Sequence, residues 1–131
     1  LKLREIMTEK VVVVDMDCSL TLIKEFFDNA SFHHLLVVEG DELFGVISDR
    51  DLLRAIGPKA GTVAETSADL MDLNRRAHQI MTRSPVTLPA NADIKLAVEM
   101  FNTYQISCIP IVDWKKKPVG IVSWRDILKT L

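Results

Sequence analysis

The chain has 131 residues, which suits one average domain able to bury its own core without metals or disulfides. Apolar residues make up 48% and charged residues 26%, a globular balance that excludes disordered, collagen-like, coiled-coil and disulfide-scaffold classes. Sixteen basic side chains against eighteen acidic ones give a net charge of −2, which excludes a strongly basic nucleic-acid footprint.

The unbroken apolar runs are short, as at Val11–Val14, so no segment spans a bilayer, and no signal-peptide pattern is visible. The chain begins at Leu1 and not at a methionine, as a trimmed chain or one piece of a longer protein would. Cys18 and Cys108 lie far apart among apolar neighbours. They read as buried free thiols in a reducing, cytoplasmic compartment, with a disulfide between them as the alternative.

In chain order, Val11–Val14 is a short apolar run and reads as a strand. Ser19 is a good helix N-cap, and Leu20, Ile23, Phe27 and Ala30 follow at helical spacing. Leu35–Val38 reads as a buried strand, Glu39–Glu42 as a turn, and Phe44–Ile47 as a third strand. A second helix runs from about Asp49 to Ile56, and Gly57, Pro58 and Gly61 break it. The next helix is predicted over Leu70 to Ile80, with Leu70, Leu73, Ala77 and Ile80 on one face. Thr62-x-x-Glu65 and Thr66-x-x-Asp69 both resemble capping boxes, so its start is open. The series then begins again. Pro85–Leu88 is a strand, and Asp93 caps a helix with Ile94, Ala97, Phe101 and Tyr104 on its apolar face. Ile109–Val112 and Val119–Val122 are strands around an Asp113–Pro118 turn, and a last helix covers about Trp124 to Thr130.

This recurrence is an internal repeat. Ile6-Met7-Thr8 recurs as Ile80-Met81-Thr82, and Val12, Leu22, Phe27 and Val38 fall on Val86, Leu96, Phe101 and Val112. One residue is then inserted in the second copy, at the turn, where insertion is cheapest. Gly45-Val46-Ile47-Ser48-Asp49-Arg50-Asp51-Leu52-Leu53 thereafter matches Gly120-Ile121-Val122-Ser123-Trp124-Arg125-Asp126-Ile127-Leu128. The fold class is therefore α/β (α+β), made of two β-α-β-β-α units over residues 1–57 and 80–131, with a helix-bearing linker over 58–79. Each unit, at roughly 50 residues, is too small to bury much alone. The expectation is one body in which the units cover each other about a pseudo-two-fold axis.

The sharpest local feature is Gly-h-h-Ser-x-Arg-Asp-h (h, apolar) at a strand-to-helix junction in both units. Ser48 or Ser123 would be the N-cap, and Asp51 or Asp126 the N3 residue, so helix capping alone explains the pattern. The functional reading is a ribose-phosphate site. The free N–H groups of a helix start attract anions, the serine hydroxyl can donate to phosphate, and Arg50 and Arg125 can pair with it. A carboxylate can accept from two ribose hydroxyls. Duplication does not decide between these readings, because a cap would be duplicated too.

Ile-Met-Thr, the β-α-β-β-α unit and Gly-Ile-Val-Ser-Trp-Arg-Asp-Ile-Leu resemble the cystathionine β-synthase-type (CBS) domain, and two in tandem resemble a CBS pair, or Bateman module. The resemblance covers nearly the whole chain. It implies a regulatory module that binds adenosine-containing ligands (AMP, ADP, ATP or S-adenosylmethionine), needs no other cofactor, and forms homodimers, alone or with an effector protein or domain. It implies two clefts between the units. One would hold Ser123, Arg125 and Asp126 opposite Val12, His33 and His34. The other would hold Ser48, Arg50 and Asp51 opposite Val86, Ser107 and Cys108. Asp would take the ribose, Ser the phosphate or ribose, and the apolar strand residues the adenine.

The two clefts differ in sequence. The histidines favour phosphate in the first, whereas Asp49 adds negative charge beside Ser48 in the second. Trp124 either stacks on a base or obstructs the first cleft. Leu36 stands where the second unit has Pro110, a departure from the family pattern that bears on the His33–Leu36 backbone.

Neighbouring strand residues face opposite ways, so at most one of His33 and His34 enters a cleft. A structural or solvated histidine is the plainer reading of the pair, then a phosphate contact, then a metal ligand. His78 reads as solvated, and no Cys/His spacing suggests zinc. Met7, Met71, Met81 and Met100 read as packing residues. Lys115-Lys116-Lys117 reads as a solvated turn, with an anionic partner as the alternative. No phosphate-cradling Gly-rich loop, nucleophile elbow or His-Glu-x-x-His is present, so the chain reads as a non-enzyme. The alternative function is a structural or oligomerisation pair with degenerate sites.

Overall fold

The computed structural model describes residues 1–56 and 74–131. A 3-10 turn at Leu3–Glu5 opens the chain. The first unit comprises β1 (Val13–Asp15), α1 (Leu20–Asn29), β2 (His34–Glu39), β3 (Glu42–Ser48) and α2 (Asp49–Ile56). Then come α3 (Ala77–Ile80), β4 (Thr82–Arg83), α4 (Ile94–Thr103), β5 (Cys108–Val112), β6 (Pro118–Ser123) and α5 (Trp124–Leu128). The architecture is mixed α+β.

The caps act as their chemistry dictates. Ser19 Oγ accepts from the Leu22 N–H at 3.3 Å, and Asp93 Oδ1 accepts from the Lys95 N–H at 2.9 Å. Leu20, Ile23, Ala97 and Phe101 are buried as their spacing predicts. Ala30 and Tyr104 do not extend those faces. They are C-cap residues with extended backbone, and both are exposed.

β1 runs parallel to β2, β2 is antiparallel to β3, and β3 is antiparallel to β4, in one four-stranded sheet. β5 and β6 form the second sheet, flanked by isolated bridges Leu88↔Ile111 and Thr8↔Ile121. The strand expected at Pro85–Leu88 is thus reduced to one bridge. In the first unit the Leu36 N–H donates to the Val12 carbonyl at 2.9 Å. The equivalent donor in the second unit is Pro110, which has no N–H. Ser84, at φ 48°, further breaks the run ahead of Pro85.

The helix expected over Leu70 to Ile80 is helical only at Ala77–Ile80 among the described residues. Arg76 has extended backbone and caps that turn, so the helix does not continue back through it. The Gly57, Pro58 and Gly61 break, both threonine caps, Leu70, Met71 and Leu73 lie outside the described residues.

The units exchange their leading segments. Thr8, in the leading segment of the first unit, pairs with Ile121 in β6, and its equivalent Thr82 pairs with Val46 in β3. The Met7 side chain lies against Gly120, and Met81 lies against Gly45. Leu3, fully buried, belongs to the core of the second unit with Leu88, Ala97 and Ile109, whereas Ala77 and Met81 belong to the core of the first. A third cluster of Leu36, Leu43, Val46 and Cys108 lies between the two sheets. The same contacts recur with the units interchanged, as pseudo-two-fold packing requires.

Candidate functional site

Each unit ends its last strand in a serine and begins a helix at the next residue. In the first, the Ser48 N–H donates to Asp51 Oδ2 at 2.8 Å, and the Asp51 N–H donates to Ser48 Oγ at 3.1 Å. In the second, the Ser123 N–H and hydroxyl both donate to Asp126 Oδ2, at 2.9 and 3.3 Å. The capping role of Ser-x-x-Asp is therefore real in both copies. It also fixes each carboxylate at the strand-to-helix junction.

The two carboxylates are not in equal surroundings. Asp126 is buried at 9% exposure, and its Oδ1 accepts from Thr8 Oγ1 at 3.3 Å. That contact joins the leading segment of one unit to the helix start of the other. Asp51 is more open, with 22% of its side chain exposed, and its second oxygen faces Arg54 at 3.4 Å. Thr8 was not among the residues expected at the site. Its only signal was its place in the repeated Ile-Met-Thr.

His33 and His34 diverge, as neighbouring strand residues must. His33 Nδ1 lies 2.9 Å from Asp49 Oδ2, within its own unit. His34 Nε2 lies 2.8 Å from Ser107 Oγ, across to the other unit. Burial pushes the pKa of His34 down, with Asp49 opposing and His33 assisting. The charge expected of this pair for the first cleft is thus disfavoured: His33 faces the Asp49 carboxylate, and burial works against the charged form of His34. Arg50 and Arg125 are exposed and form no ion pair among the described residues.

Trp124 is 37% exposed and packs on the Phe101 ring, with centroids 4.9 Å apart. Val12 and Val86 are half-buried and equivalent in the two leading segments. Cys108 is buried at the start of β5. Burial, with a smaller contribution from the Asp51 charge, pushes its thiol up to about 12. Cys18 and Cys108 are both free. No group of His, Cys, Asp and Glu suited to a metal ion occurs among the described residues.

Two surface openings lie elsewhere. One of ≈ 520 Å³ sits between the β2–β3 and β5–β6 turns, where Lys115 Nζ lies 4.8 Å from the Trp114 ring centre. The other, of ≈ 620 Å³, runs beside Met7, Leu88 and Val119. Neither includes a residue of the Ser-x-Arg-Asp elements. No helix among the described residues is long and apolar enough to cross a membrane.

Comparison with known proteins agrees with this fold. The family model of the CBS domain matches residues 3–58 and 77–131. A CBS domain-containing protein of Dictyostelium discoideum is 25% identical over 131 residues, spanning 98% of this chain and 89% of its own. The homoserine O-acetyltransferase of Methanococcoides burtonii is 28% identical over 124 residues, 94% of this chain, but the chain spans only 22% of that enzyme. Among solved structures, a CBS domain pair in complex with 5′-methylthioadenosine and S-adenosyl-L-methionine has a TM-score of 0.79 at 21% identity, covering 99% of this chain and 98% of that one. The protein CBSX2 in complex with AMP has a TM-score of 0.79 at 21% identity, covering 98% of this chain and 94% of that one.

Proposed function

Because the chain belongs to the CBS domain family and carries that domain twice in tandem, we propose that it is a regulatory module binding an adenosine-containing ligand between its units. The observation that carries this reading is the Thr8–Asp126 contact. It makes the Ser-x-x-Asp carboxylate a meeting point of the two units rather than a cap alone. The CBS pairs crystallised with AMP, 5′-methylthioadenosine and S-adenosyl-L-methionine support the ligand class.

In this reading Asp51 and Asp126 accept from ribose hydroxyls. Ser48 and Ser123 donate to phosphate or ribose, and Val12 and Val86 line the adenine. Arg50 and Arg125 supply the positive charge toward phosphate, since His33 faces Asp49 and burial works against the charged form of His34. A ligand touching both units stabilises their packing and biases a dimer or an attached effector. The chain itself carries out no chemistry.

A second reading, a structural pair with degenerate sites, is favoured by the Ser123 N–H and hydroxyl that already occupy Asp126 Oδ2. A thermal-shift screen with AMP, ADP, ATP, S-adenosylmethionine and NADH separates the two. Stabilisation follows ligand concentration over Kd. A rise in Tm with an adenosine ligand supports the sensor, and a flat response at millimolar ligand supports the structural pair.

A further inference from the structure

We propose that the face formed by the β2–β3 and β5–β6 turns joins two copies of this chain. Trp114 of one copy enters the apolar opening of the second and receives the second copy's Trp114 in return. The proposal stands apart from the ligand reading, and no α-helix lines this face. The two turns come from different units, and the Leu43 N–H, donating to the Lys116 carbonyl at 2.9 Å, holds them side by side. The β5–β6 turn is tied internally as well. Asp113 Oδ1 accepts from the Lys115 and Lys117 N–H groups, both at 2.9 Å, and the Asp113 N–H donates to the Lys117 carbonyl at 2.9 Å. Trp114 stands on this fixed turn with 87% of its surface exposed. It borders both surface openings, and the one of ≈ 620 Å³ is lined by Met7, Leu88, Pro89 and Val119. An exposed indole thus stands beside an apolar opening that it does not fill. A tryptophan already held in place loses little freedom on docking and is a common interface anchor.

Charge selects a second copy as the occupant. Glu39 and Glu42 lie directly opposite each other in the β2–β3 register, with Asp41 in the turn between them. Like charges so placed repel. Lys115, Lys116 and Lys117 follow one another in the neighbouring turn. None of these six side chains forms an ion pair among the described residues, and Lys115 Nζ lies 4.8 Å from the Trp114 ring centre instead. A two-fold axis through this face sets each acidic turn toward the other copy's lysines and each indole toward the other copy's opening. One surface thus carries a knob with its hole and both signs of charge, the self-complementarity that an isologous interface requires.

Sedimentation velocity of the whole chain over a range of concentrations tests this, with Trp114→Ala and Pro89→Arg as variants. Both residues are exposed, so neither substitution should move the Tm of the dilute protein much. Wild type is expected to show a concentration-dependent association step that weakens as salt is raised. Either variant should weaken that step at least about tenfold, as loss of an interface anchor does. An equimolar mixture of the two variants is the decisive arm. Trp114→Ala keeps the opening and Pro89→Arg keeps the indole, so the mixture should regain, through one of the two contacts, an association that neither variant has alone. Absence of the step in wild type, which leaves the face to a different partner, would overturn the proposal. So would association unchanged in Trp114→Ala, or no gain on mixing.

Discussion

Thr8 Oγ1 donates to Asp126 Oδ1 across 3.3 Å, joining residues 118 positions apart. The bond closes the second unit with a side chain from the leading segment of the first. Asp126 also caps α5, so its removal takes away a cap and an inter-unit hydrogen bond together. Asp126→Ala is expected to cost about 1–3 kcal/mol in urea unfolding, and Thr8→Val about 0.5–1.5 kcal/mol. The two losses should be less than additive, because the substitutions share one contact.

Gly45 is fixed by its neighbour. A Cβ there would lie 2.8 Å from Met81 Cγ and 3.0 Å from Met81 Cβ. The Cβ of Met81 is close to the backbone and has little room to move. Gly45→Ala should therefore destabilise by about 1–3 kcal/mol, the usual cost of overpacking. Trimming the neighbour in Gly45→Ala/Met81→Ala should recover part of that loss, and a double-mutant cycle by chemical unfolding measures the recovery.

Leu3 sits near the chain start yet is fully buried in the core of the second unit. Leu3→Ala should cost about 2–5 kcal/mol, as for a buried leucine anywhere in a core. Amide exchange should report the loss at Leu88, Ala97 and Ile109 before it reaches Leu35 and Ile47. Uniform loss across both units would instead mark a fully cooperative pair.

Cys108 and His34 are both shifted by burial and act at opposite ends of the pH scale. Folding holds the Cys108 thiol protonated up to about 12, while an unfolded thiol ionises near ~8.5. Between these values the unfolded state holds fewer protons, so stability falls as pH rises. Cys108→Ala should flatten that alkaline loss, as followed by Tm against pH. His34 has its pKa lowered by burial. As pH falls through the ordinary histidine range the unfolded state takes up the proton first, so stability falls with acid. His34→Gln should remove that part of the acid loss.

The repeat made most of the fold legible. Ser19 and Asp93 cap where their chemistry says, and β2, β3, β5 and β6 follow the apolar runs. Local sequence did not reveal where the leading segments go. Ile-Met-Thr looks like part of its own unit, but a strand's partner depends on contacts distant in sequence, and Thr8 and Thr82 each pair with the other unit. The Pro85–Leu88 strand failed for a reason visible only once β5 was its neighbour, because the missing donor belongs to Pro110. At the site, the Ser-x-x-Asp geometry was legible from spacing. The partner of His33 was not, because Asp49 reaches it only through the β2–β3 pairing, with the Asp49 N–H donating to the His33 carbonyl at 3.0 Å.

The most direct test of the ligand reading is a calorimetric titration of wild type and Asp51→Ala/Asp126→Ala. The titrant is whichever of AMP, ADP, ATP and S-adenosylmethionine most raises Tm. Loss of a hydrogen bond to a charged group costs about 1.5–3 kcal/mol, so the double variant should bind about ten- to 150-fold more weakly. Equal affinity in the two proteins, or no binding of any of the four to wild type, would contradict the account.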